Sequence, residues 1–189
     1  MKTSFLLIVL ALAPAFTFAS EWNLDLLMHD LAAVQSDHAS FVEIKSIAML
    51  DKPVKSSGEL YYAAPSHLEK RTLKPRPESL TVDGDNLIIA RNGQIHRLQL
   101  QKYPEIAAFI DSIRGTLSGD RTALEKNYKT SLEGTPERWT LLLLPTDPRM
   151  QKVAKEIRIK GERNALNSIE IIQADGDSSV MTIERLTRP

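Results

Sequence analysis

The chain has no cysteine in its 189 residues. That excludes disulfide cross-links, thiolate zinc sites and a lipid on a mature N-terminal cysteine. It has no excess of either charge, since 24 Lys and Arg stand against 24 Asp and Glu. A balanced chain gives no electrostatic case for nucleic acid, and no Lys/Arg block marks a membrane-surface patch. Histidine is scarce: His29, His38, His67 and His96 form no HxH or HExxH pair, so no metal site is expected. There is no Gly-x-Ser-x-Gly elbow. Ser66 beside His67 is not read as a catalytic couple, because neighbours on a strand point to opposite faces. No catalytic residue and no cofactor are expected, and no internal repeat is visible. Long hydrophobic runs are also lacking, with one exception at the start.

That exception reads as a secretory signal over residues 1–19. Lys2 supplies the positive end, Phe5 to Phe18 is apolar, and Thr17-Phe18-Ala19 fits a small-x-small cleavage site before Ser20. The run is shorter than the ~20 residues a membrane helix needs. Export to the periplasm follows, with residues 20–189 as a single domain, within the ~100–200 residues typical of one.

Periodicity orders the remainder. Leu24, Leu27, Met28, Leu31 and Val34 recur at helical spacing. Ser40 to Leu50 alternates like a strand, Asp51-Lys52-Pro53 breaks it, and a polar loop leads to Gly58. From Gly58 to Ile89 the pattern is four short strands. Leu60 and Tyr62 share a face, as do Leu68, Lys70 and Thr72. Pro75 and Pro77 force an extended connection. Leu80 and Val82 precede an Asp83-Gly84 turn into Leu87, and Asn92-Gly93 signals a hairpin returning through Leu98. Pro104 opens a helix with Ile106, Phe109, Ile110, Ile113 and Leu117 on one face. Thr122 to Asn127 adds a helical turn. Arg138 to Leu144, with four consecutive leucines, predicts a strand buried on both faces. Val153–Lys160, Asn167–Ala174 and Val180–Leu186 complete the strands, the last pair around an Asp175-Gly176-Asp177 turn. Both Asp-Gly stretches lack the acidic ladder and distal Glu of a calcium loop. Many short strands with two helical segments give an α+β class, with a barrel or sandwich as its sheet.

The layout of Gly58, Leu60, Pro65, Pro75 or Pro77, and Asp83-Gly84 before Leu87-Ile88-Ile89 resembles the LolA family of periplasmic lipoprotein carriers. Trp139, Pro145, Ile157, Ile159 and Asp175-Gly176 match the back half of the same layout. The resemblance implies a half-open antiparallel β-barrel with a helical lid. It implies a carrier rather than an enzyme, taking the acyl chains of a lipid or lipoprotein from an inner-membrane exporter to an outer-membrane acceptor, as a monomer. On that reading the cavity wall is Leu60, Tyr62, Leu68, Leu80, Leu87, Leu98, Phe109, Ile110, Ile113, Trp139, Leu141 and Leu143; the same periodicity also fits a filled core. Lipoprotein carriers often place an Arg before the first Pro to help close the lid. Here that residue is Ala64, which leaves the cargo open between lipoprotein, aryl-polyene lipid and another lipid, and Lys70 and Arg71 are the candidate head-group contacts. An envelope lipid sensor or adaptor is the alternative reading.

Overall fold

The computed structural model describes residues 22–186; the signal read over residues 1–19 lies outside them. Eleven strands form one antiparallel sheet. The first meander is β1 (Ser36–Ser46), β2 (Val54–Ala63), β3 (His67–Lys74), β4 (Glu78–Asp83), β5 (Asn86–Arg91) and β6 (Gln94–Gln99). The second is β7 (Tyr128–Thr135), β8 (Arg138–Pro145), β9 (Ala154–Glu162), β10 (Ala165–Gln173) and β11 (Ser178–Arg185). The spatial order β6-β5-β4-β3-β2-β1-β11-β10-β9-β8-β7 joins the meanders through β1 and β11, where Phe41 faces Ile183 and Ile44 faces Val180. The outer strands β6 and β7 do not pair, so the sheet is open rather than a closed barrel.

The helices lie on the concave side. α1 (Leu24–Ala32) precedes β1 and is capped by Asn23, whose side chain accepts from the Leu26 N–H. The link between the two edge strands holds α2 (Pro104–Leu117) and α3 (Arg121–Asn127). Gly119 separates them at φ +68°, where a Cβ would stand 2.1 Å from the Met28 carbonyl oxygen, so the turn is pressed against α1. A short α4 (Pro148–Gln151) follows β8.

Two apolar clusters fill the hollow unequally. The larger joins Leu27, Met28 and Leu31 of α1 and Leu124 of α3 to Trp139, Leu141, Leu143, Ile157 and Ile159 of β8 and β9. Gly161 faces Trp139 across the strands and makes room for its ring, while the indole N–H donates to the Arg163 carbonyl at 2.9 Å. The smaller cluster is Val82, Leu87, Leu100 and Ile110, with Leu98 packed against it.

Several boundaries differ from the sequence expectation. β1 runs four residues earlier than expected, because Ile47–Leu50 closes a turn whose Ala48 N–H is taken by Asp177. The polar stretch before Gly58 is strand, since Val54 to Ser57 pairs with β1. Pro75-Arg76-Pro77 makes a tight hairpin between β3 and β4 rather than an extended link; Ala64–Pro65 and Lys74–Pro75 are cis. Tyr128–Thr135, unassigned in sequence, is an edge strand. β8 is buried on one face only. Trp139, Leu141 and Leu143 are sealed, whereas Leu142 and Leu144 are half-buried, because the helices cover only the concave side.

Candidate functional site

Between the two clusters the concave face stays unfilled. A cavity of about 370 Å³ runs beneath α2. Its floor comes from both meanders: Ala39 of β1, Leu60 and Tyr62 of β2, Leu68 of β3, Leu80 and Val82 of β4, and Leu87 of β5. Ile169 and Ile171 of β10 and Met181 and Ile183 of β11 continue it. The roof is one face of α2, namely Ile106, Phe109, Ile110, Ile113 and Leu117, at the spacing that puts side chains on one helical stripe. Leu31 of α1 and Val34 just beyond its end also line it.

The lid is tied at both flanks. The Tyr128 hydroxyl donates to the Ala108 carbonyl at 3.3 Å, and burial holds this phenol above its ordinary pKa. The Arg114 guanidinium donates to the Gly84 carbonyl at 3.0 Å, fastening α2 to the β4–β5 turn. Gly84 has φ +53°, which the Asp-Gly pair in that turn allows.

One charged couple sits in the apolar wall. Lys70 Nζ lies 2.5 Å from Glu43 Oε2, with side chains 25% and 18% exposed. Lys70 stands level with Leu60, and Glu43 level with Ser56, so their contact crosses β2 over Gly58. Gly58 leaves that path clear. A Cβ there would also lie 1.9 Å from the Arg71 carbonyl oxygen, at a register shift between β2 and β3. The Lys70 ammonium additionally sits 5.0 Å from the Phe41 ring centroid. Further along β1, Asp37 lines the cavity and is held by Arg185 at 2.8 Å. The Tyr62 hydroxyl is buried with no hydrogen-bond partner among the described residues, and burial raises its pKa.

Eight of the apolar residues expected at the wall meet there: Leu60, Tyr62, Leu68, Leu80, Leu87, Phe109, Ile110 and Ile113, joined by Lys70. Four do not. Leu98 packs in the smaller cluster, and Trp139, Leu141 and Leu143 belong to the filled core, because α1 and α3 pack on the concave face of β8. Arg71 points to the opposite face, where it pairs with Glu69 at 2.9 Å and stacks over Tyr61. Sequence reading missed Glu43 and the β10–β11 wall. The alternation of Ile169 and Ile171 is visible, but only the β1–β11 pairing brings those strands beside β2. Among the described residues no cluster of His, Cys, Asp or Glu could hold a metal ion, and no described helix is long and apolar enough to cross a membrane.

The described residues thus form an open antiparallel sheet with a helix roofing an apolar hollow. Residues 16–184 match the sequence model of the outer membrane lipoprotein carrier protein LolA-like family, and the chain belongs to that family. The comparison with curated protein sequences returns no match. Among solved structures, the chain is similar to a LolA superfamily protein from Nitrosomonas europaea, with 12% identity, 86% of this chain and 93% of that chain covered, and a TM-score of 0.46. It is also similar to the MucA/MucB complex of Pseudomonas aeruginosa (11% identity, 88% and 58% covered, TM-score 0.46). A third is the lipoprotein LppX of Mycobacterium tuberculosis (11%, 84% and 93%, TM-score 0.40). Family membership rests on the sequence match.

Proposed function

We propose that this protein is a periplasmic carrier that shields the hydrocarbon part of a lipid or lipidated cargo and hands it between envelope partners. The observation that carries the reading is the cavity of about 370 Å³ under α2, walled by apolar side chains, in a member of the LolA-like family. Each methylene moved from water into such a wall contributes ~0.8 kcal/mol. A chain of ten methylenes therefore gains ~8 kcal/mol before the cost of immobilising it. That is enough for sequestration without specific polar contacts. The role is binding and transfer, not catalysis. Residues 20–189 act as one domain, released from a signal over 1–19, and α2 gates the cavity by shifting against the sheet between two positions.

The test is native mass spectrometry of protein purified from its own periplasm, followed by organic extraction. A discrete bound lipid is expected. Replacing Phe109 with Asp should abolish uptake while the β-sheet circular dichroism stays intact. Protein that carries no extractable lipid and takes up none in solution overturns the proposal.

A further inference from the structure

We infer that the Glu43–Lys70 couple makes the cavity select an amphiphile with an uncharged, hydrogen-bonding head group over anionic or cationic heads on the same chain. The inference deepens the carrier reading and rests on it.

The apolar hollow of about 370 Å³ takes the hydrocarbon chain.

Charge sets the head. Glu43 and Lys70 both line the cavity and contact each other at 2.5 Å. Together they present no net charge to the ligand. Separating them inside an apolar wall would strand one uncompensated ion, which is strongly unfavourable. An anionic head must compete with Glu43 for Lys70 and meets the repulsion of its carboxylate. A cationic head meets the converse. A hydroxyl-bearing head avoids both: it donates to the spare lone pairs of the carboxylate and accepts from the remaining N–H groups of the ammonium, leaving the couple closed. Ser56 already shows the first of these contacts, donating to Glu43 Oε2 at 3.4 Å. The other charged residue of β1 on the wall, Asp37, is occupied by Arg185 and stands six residues away, ~20 Å along an extended strand. Glu69 of β3, the third carboxylate along the cavity, is paired with Arg71 at 2.9 Å, so neither offsets the balance at Glu43.

The experiment is isothermal titration of the full mature protein with three probes sharing a dodecyl-length chain, each below its micelle concentration. They are monododecanoylglycerol, dodecanesulfonate and dodecyltrimethylammonium. Wild type should bind the glycerol ester on the order of tenfold more tightly than either ion, the size of effect expected from leaving one polar partner unmatched. Glu43→Gln should raise sulfonate affinity by about tenfold, and Lys70→Met should do the same for the ammonium probe. The wild-type ranking alone tests the inference if either variant fails to fold. Binding of either ion as tightly as the ester overturns it and leaves the carrier reading standing. No binding of any probe to wild type overturns the carrier reading itself, and this inference with it.

Discussion

Leu141→Ala and Leu80→Ala make the same chemical change on opposite sides of the boundary between core and cavity. Leu141 is fully buried, faces Ile159 and Leu132 across neighbouring strands, and sits inside the larger cluster. Truncation removes three carbons, worth ~2.4 kcal/mol at ~0.8 kcal/mol each. The hole left in a filled core adds a further penalty, for a total of about 3–4 kcal/mol. Leu80 is half-buried and borders the hollow instead. Its loss enlarges a space that already exists, so the packing penalty is largely absent and the cost falls to about 1 kcal/mol. Urea unfolding followed by circular dichroism reads both values from shifts in the midpoint at constant slope. Repeating the series with a bound amphiphile supplies the second axis. At a hundredfold excess over Kd a ligand stabilises the native state by ~2.7 kcal/mol. That increment should persist in Leu141→Ala and shrink in Leu80→Ala. Equal destabilisation by the two truncations, with no difference in ligand protection, would show that the hollow beneath α2 is packed in solution and would refute the reasoning.

Three further outcomes are expected. Gly58→Ala forces a Cβ to within 1.9 Å of the Arg71 carbonyl, so β2 and β3 must part locally; a loss of about 1–3 kcal/mol is expected by thermal unfolding. Arg114→Met removes the donor to the Gly84 carbonyl and should speed amide exchange in α2 and ligand off-rates, while α1 exchange stays as it was. Tyr128 has its phenol pKa raised, chiefly by burial. Its contribution is therefore fully present below the unfolded value of ~10 and is lost as pH rises from there through the higher folded value. Tyr128→Phe should flatten that alkaline decline in stability, part of which remains because Tyr62 is shifted the same way.

The helices and hairpins were legible because their signals are local. Pro104 with its apolar stripe gave α2, and Asn92-Gly93 gave the β5–β6 turn, whose residues have φ of 53° and 75°. β7 was not legible. Tyr128, Thr130 and Leu132 do alternate, but Lys129, Ser131 and Glu133 between them face solvent from an edge strand, and the pattern is too polar to stand out. Periodicity plus family resemblance named nine of the 26 residues along the cavity. The rest depended on which strands meet across the sheet. Trp139, Leu141 and Leu143 have the same alternation as Leu60 and Tyr62, and only the positions of α1 and α3 make one set core and the other wall. The partner of Lys70 was hidden for a related reason. Glu43 lies 27 residues earlier on β1, and the two side chains touch only across Gly58 of the intervening strand β2.

The seam between the first and last strands has a consequence for how the molecule comes into being. Synthesis delivers β1 first and β11 last of the eleven described strands. Until that final segment arrives, β1 waits with one row of amides unsatisfied, and the floor of the hollow is missing its β10–β11 half. Such long-range closure is slow compared with hairpin formation. The nascent chain thus passes through a stage with a sticky, unguarded rim, and truncation of the last strand should yield aggregates rather than a weaker binder.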